Sequence, residues 1–210
     1  MAGLETIIVI IIFLFSVIIH ELAHGSMALA LGDLTAQRAG RLTLNPIKHL
    51  DPIGSIILPA LLILSGSGMI FGWAKPVPFN PYNFKDKRWG SAKVAAAGPL
   101  ANICLAVIFG LIIRFVPMLP DPTVKIFGFI VMINLILAIF NLMPVPPLDG
   151  SHILFSILPK SAQNIKIALS RYGLILLLFV IFFLFRYIIW IVFWFGYFII
   201  GNPEWMIILR

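Results

Sequence analysis

The sequence predicts an all-α polytopic membrane protein with about five to six membrane segments, one of them re-entrant. Three observations carry this reading. Of the 210 residues, 61% are hydrophobic and only 11% charged, whereas soluble domains average about a quarter charged. The mean hydropathy is +1.07. Apolar runs of spanning length occupy residues 4–31, 94–116, 126–143 and 172–200, with a broken run at 53–71.

The first run starts without a positive region, and cleavage after Ala28-Leu29-Ala30 would discard the polar residues it carries. It is therefore read as a retained span and not as a signal peptide. The second contains Pro59 and Ser65-Gly66-Ser67-Gly68, then leads into Phe71-Gly72-Trp73-Ala74-Lys75-Pro76-Val77-Pro78. Arg38, Arg41 and Lys48 precede it, and Lys75, Lys85, Lys87, Arg88 and Lys93 follow. Basic loops stay in the cytoplasm, so 53–71 is expected to enter and leave from one face, with a short extended or β-like loop. The competing reading is a plain transmembrane helix. Residues 94–116 then run outward, 117–125 form an external link, and 126–143 return. Residues 159–171, with Lys160, Lys166 and Arg171, are expected in the cytoplasm. The last run is longer than one span needs and contains Arg186, which predicts two short helices or one tilted, interrupted helix.

The net charge of +7 is spread over short loops. That distribution sets topology and argues against a nucleic-acid partner. The lone Cys104 has no partner for an intrachain disulfide and reads as packing.

The chemistry lies in His20-Glu21-Leu22-Ala23-His24, inside the first apolar run. Histidines at i and i+4 share one helix face, so both imidazoles reach a single zinc ion. Glu21, next to the first of them, is placed to take a proton from an attacking water. A chance match is the bland alternative, but three ionisable groups at membrane depth are costly without a function. A catalytic zinc takes three protein ligands. The candidate third is Asp149, in Asn141-Leu-Met-Pro144-Val-Pro146-Pro147-Leu148-Asp149-Gly150, where the prolines break helix; its alternative is an ordinary surface turn. His49 reads as solvated or interfacial, and His152 as a neighbour of the metal site.

Together, the His20 to His24 motif, the Asn141 to Gly150 segment and Ala97-Gly98-Pro99-Leu100-Ala101-Asn102 resemble the site-2 protease family of intramembrane zinc metalloproteases, peptidase family M50. Asp51-Pro52-Ile53-Gly54-Ser55 and the stretch from Phe71 to Pro78 are similar to its compact branch without PDZ or CBS domains. The resemblance implies one Zn2+ per chain on His20, His24 and Asp149, with Glu21 as general base or acid. It places Asn141 and Asn102 near the substrate, as hydrogen-bond donors to its backbone or to a developing oxyanion. Interhelical hydrogen bonding is the alternative for Asn102. It also implies that residues 72–78 lie near the substrate.

The expectation is a single domain over 1–210, with a catalytic core at 1–158 and C-terminal membrane helices at 159–210. It is a multi-pass cell-membrane protein whose active site lies toward the cytoplasm. Its expected activity is hydrolysis of a peptide bond in or near a transmembrane segment of a protein substrate. The rival classes are a zinc or proton transporter, against which Glu21 argues, and a metal-binding membrane protein without turnover.

Overall fold

The structure is a computed structural model that describes residues 2–57, 61, 64, 65 and 75–201. The first apolar run is helix α1, Ala2–Ala30, of 29 residues. At 1.5 Å per residue it is about 43 Å long, more than the roughly 30 Å of bilayer hydrocarbon. A four-residue helix, α2 (Thr35–Arg38), follows a turn. The third and fourth runs are α3, Gly90–Phe115, and α4, Asp121–Asn141. A short α5, Asp149–Ile157, comes next. The chain then runs through α6, Gln163–Phe179, a π-helical segment, Val180–Leu184, and α7, Phe185–Ile200. Among the described residues, four helical runs are long and apolar enough to cross a membrane: 3–30, 90–115, 121–141 and 163–200. The protein is a multi-pass, helical membrane protein.

Helix α3 is the hub, packed against α1, α4, α5 and α7. In lipid, apolar side chains gain little by leaving the hydrocarbon, so helices pack where small residues allow close approach. Gly110 shows this: a Cβ there would stand 2.5 Å from Ile199 Cγ2 on α7. Ala106, Val131, Leu135, Val180, Ile188, Val192 and Ile200 form the core between α3, α4 and the last run. Leu174, Phe182, Trp190 and Phe198 face outward, as a lipid-facing surface requires.

Three details differ from the sequence reading: the start of α6, the exposure of Cys104 and the burial of His49. Helix α6 begins at Gln163, ahead of the apolar run 172–200 in which the last helices are expected, and within the stretch 159–171 expected in the cytoplasm. Gln, Lys, Ala, Leu and Arg are good helix formers and no Pro or Gly interrupts 160–172, so the hydropathy falls there while the helix continues. The interruption of the last run is a π-helical segment at Val180–Leu184, ahead of the exposed Arg186. Cys104 is exposed on α3 instead of packed. Of the run 53–71, only 53–57, 61, 64 and 65 are described, and the re-entrant expectation otherwise lies outside the described residues.

The two basic stretches that flank it meet at one end of the bundle. Lys75 N–H donates to His49 O at 2.9 Å, and Arg41 donates to Lys75 O at 2.5 Å and Pro76 O at 3.3 Å. His49 is buried, its Nε2 2.7 Å from Thr43 O. The solvated role expected for it is thus corrected: the ring is buried and turned onto the Thr43 carbonyl. At the far end of the bundle, Lys125 pairs with Glu5 at 3.0 Å.

Asp33 clasps the same end. Its carboxylate accepts from Thr35 N and Oγ1 at 3.1 and 2.6 Å, Asn80 N at 2.6 Å and Asn83 Nδ2 at 2.7 Å. Burial by itself raises this carboxyl; the donors of Asn83, Thr35 and Asn80 outweigh it and hold the group below the usual carboxylate range. A lowered folded value stabilises the fold above the unfolded carboxylate pKa, and that contribution is lost as pH falls through the folded value. Asp33→Ala is expected to destabilise the fold by about 1–3 kcal/mol, since it leaves Asn80 N–H and the Asn83 amide unpaired. Unfolding in detergent at neutral and acidic pH checks this. The deficit should be largest near neutrality and shrink in acid; a pH-independent deficit contradicts the clasp.

Candidate active site

The site forms where α1, α3 and the segment between α4 and α5 converge. His20 and His24 lie ten and six residues before the end of α1 at Ala30, about 15 and 9 Å inside it. Both are buried, with ring centroids 4.5 Å apart and planes at 86°. Asp149 comes from the other side. After α4 the prolines keep 142–148 out of helix, and Asp149 is the first residue of α5, not part of the broken backbone itself. A Cβ on Gly150 would collide with the carbonyl oxygens of Leu142 and Met143, so only glycine lets this turn fold back so tightly.

Three atoms meet. His20 Nε2 lies 2.9 Å from His24 Nε2 and 3.1 Å from Asp149 Oδ2, and His24 Nε2 lies 3.2 Å from the same oxygen. The opposite ring nitrogens decide what these atoms offer. His24 Nδ1 is 2.7 Å from Val94 O, which only accepts, so it carries the proton. His20 Nδ1 is 2.6 Å from Asn102 Oδ1, likewise an acceptor. Both Nε2 atoms therefore present lone pairs toward a carboxylate oxygen, and no proton of the neutral rings lies between the three. A cation satisfies all of them. Ligand bonds of about 2.0–2.2 Å in a tetrahedron place donor atoms roughly 3.3–3.6 Å apart, within about half an ångström of this triangle. The residues fit a zinc ion.

The three residues, with Glu21, Asn141 and His152, line a cavity of about 260 Å³ whose remaining walls are Pro76, Val77, Phe79, Ala95 and Pro147. Glu21 Oε2 accepts Val77 N–H at 2.7 Å, so the 75–80 segment crosses directly over that carboxylate. Asn141 donates to Leu137 O at 2.9 Å and keeps the rest of its amide at the cavity wall. Asn102 is placed differently from the expectation of substrate contact. It is fully buried outside the cavity, and its NH2 donates to Asn134 Oδ1 at 2.7 Å and Ser16 O at 3.3 Å. Of residues 72–78, those at 75–78 are described, and Pro76 and Val77 reach the cavity; 72–74 lie outside the described residues.

Gly98, Asn134 and Ser16 complete the surroundings. A Cβ on Gly98 would stand 2.6 Å from His24 Cε1 and 2.7 Å from His20 Cε1, so the two rings lie flush against α3 only because this residue has no side chain. Pro99 beside it lacks the N–H that would bind Ala95 O, loosening the helix one residue from the carbonyl that holds His24. Asn134 was open to the argument used for Asn102, an amide in the middle of an apolar run. Ser16 carries a weaker signal, because a hydroxyl can satisfy itself on its own helix.

A multi-pass helical protein with two histidines and a carboxylate gathered at membrane depth, and a second acid beside them, has the layout of a membrane-embedded hydrolytic metalloenzyme. The comparisons agree. The sequence profile of Peptidase family M50 matches residues 118–182. YwhC of Bacillus subtilis is 38% identical over 177 residues, covering 80% of this chain and 77% of that protein. MJ0611 of Methanocaldococcus jannaschii is 36% identical over 156 residues, 71% of this chain and 72% of that one. Rip2 of Mycolicibacterium smegmatis is 31% identical over 179 residues, 81% of this chain but 64% of its own length. Each of the three is named a "putative zinc metalloprotease". No solved structure matches the chain significantly. The chain belongs to peptidase family M50, the site-2 protease family of zinc metalloproteases.

Gly98→Ala is expected to push both imidazoles off α3 and lower zinc affinity at least tenfold, while Gly3→Ala, whose Cβ meets nothing within 4 Å, leaves it unchanged. Zinc titration of the metal-free protein reads the difference; equal affinities for the two variants contradict the seating role.

Proposed function

We propose that this protein is an intramembrane endopeptidase that hydrolyses a peptide bond in or near a transmembrane segment of its substrate. One zinc ion per chain is held by His20, His24 and Asp149. The observation that carries the reading is the convergence of His20 Nε2, His24 Nε2 and Asp149 Oδ2 in a cavity that Glu21 and Asn141 also line. Zinc, when bound, supplies the Lewis acidity that polarises the scissile carbonyl and acidifies the attacking water.

Glu21 accepts that water's proton and delivers it to the leaving amide nitrogen. The Val77 N–H holds one carboxylate oxygen and so aims the other. Asn141, at the wall, donates to the substrate backbone or to the developing oxyanion. Asn102 acts through His20, because both of its N–H groups are already used. A helical substrate hides its carbonyls in hydrogen bonds, so it must unwind to be cut; the nonhelical stretches 75–80 and 142–148 flank the cavity where an extended chain would lie. The meeting of the two basic loops near this cavity supports an active site opening toward the cytoplasm in the cell membrane.

Two measurements test the assignment. Metal analysis of purified protein should find one zinc per chain, strongly reduced in His24→Ala and in Asp149→Asn; full retention in both overturns the ligand set. Glu21→Gln should keep its zinc and lose turnover of a single-span peptide by about 10²- to 10⁴-fold. Cleavage at the parent rate would exclude Glu21 as the base, and loss of zinc would make it a ligand.

A further inference from the structure

Behind His20 runs a line of three side chains from three helices. Asn102 on α3 accepts from His20 Nδ1 at 2.6 Å and donates to Asn134 Oδ1 on α4 at 2.7 Å; Asn134 donates to Ser16 Oγ on α1 at 2.9 Å. Ser16 is 3% exposed and both asparagines 0%, so no water competes for these groups.

The line has a direction. The Asn134 NH2 also faces Ile130 O at 2.8 Å, and the Asn102 NH2 also faces Ser16 O at 3.3 Å. Backbone carbonyls only accept, so neither amide can turn over without setting oxygen against oxygen. With Asn134 locked, its oxygen points at Asn102. With Asn102 locked, its oxygen points at His20. His20 Nδ1 is then obliged to carry the proton, and Nε2 is left as a lone pair facing His24 and Asp149. His24 obtains the same result from a backbone carbonyl at 2.7 Å.

We propose that Ser16, Asn134 and Asn102 form a one-way hydrogen-bond relay that sets the tautomer of His20, and that Asn134 is a positioning residue for the metal centre although it touches neither metal nor substrate. The relay stands on the geometry of the chain; its consequence for zinc rests on the ligand reading above. Adhesion between helices would be served by amides in either orientation. Here two carbonyls impose a single orientation, and every N–H of both amides is used in it. Buried amides at this depth are costly to leave half-satisfied, which is why the line ends on a hydroxyl and not in hydrocarbon.

The test uses the full-length protein in detergent with 15N-labelled histidine; the chain has four histidines, so the imidazole spectrum is simple. In the metal-free parent, above the imidazole pKa, His20 should be protonated on Nδ1 and bare on Nε2. Asn134→Leu removes the acceptor at 2.7 Å and leaves only the longer contact to Ser16 O, at 3.3 Å, to orient Asn102, so His20 should shift toward a mixture of tautomers with His24 unchanged, and zinc affinity should fall about 10- to 100-fold. Asn102→Leu should lose at least as much, and the double variant no more than Asn102→Leu alone, because the two act in series. Ser16→Ala removes only the hydroxyl and leaves both orienting carbonyls, so it should keep the parent's His20 tautomer; Asn102→Leu serves if Asn134→Leu does not fold. A parent-like His20 tautomer with parent-like affinity in Asn134→Leu or in Asn102→Leu overturns the relay, as do additive losses in the double variant. If the parent shows the expected tautomer but His20→Ala binds zinc as tightly as the parent, the relay stands and the ligand assignment fails.

Discussion

An ionisable or amide group carried into hydrocarbon must be given a partner inside the protein, and the whole domain is arranged round that demand at His20, His24 and Asp149. Each histidine has one nitrogen committed to an acceptor and one lone pair turned inward, toward the same carboxylate oxygen. Such a set is poor as a stabilising cluster, since three acceptors at about 3 Å repel one another. A cation placed among them would satisfy all three. The local conflict is the mark of a site kept for chemistry.

Helix α3 makes the arrangement possible. It holds His24 through the Val94 carbonyl and His20 through Asn102, and between these two contacts Gly98 yields the space that the rings occupy. Val94, Gly98 and Asn102 recur every four residues, so one stripe of one helix supplies an acceptor, a gap and a second acceptor in register with the i, i+4 pair on α1. The Gly-Pro-x-x-Asn motif thus has a mechanical content: a seat, a loosened turn and an anchor.

The end of the bundle nearest the site is closed by hydrogen bonds of a different kind. Arg41 grips the carbonyls of Lys75 and Pro76, and Val77 offers its N–H to Glu21. Asp33 draws residues 80–83 against the end of α1. The backbone donor on the Glu21 carboxylate is thus held in place by a buried arginine and a buried aspartate in loops that composition alone marks only as basic connectors. That is why His49 and Arg41 are buried although their sequence neighbourhood is polar.

What could be read in the chain by itself was whatever depends on local period or on hydropathy. The spans follow from runs of apolar residues, and the His20 and His24 pair follows from the helical repeat, which puts i and i+4 on one face wherever the helix sits. Asp149 was readable because prolines before it forbid helix, and an acid there needed a reason. The rest is set by packing between distant segments. Asn102 turns toward His20, and not toward the cavity, because Asn134 and Ser16, from two other helices, take up its NH2 group. Helix α6 starts before the hydropathy rises because helix propensity continues where apolarity does not. Only the tertiary structure decided which atom each polar group faces, since hydrogen-bond direction belongs to pairs of residues that the sequence holds 82 and 118 positions apart.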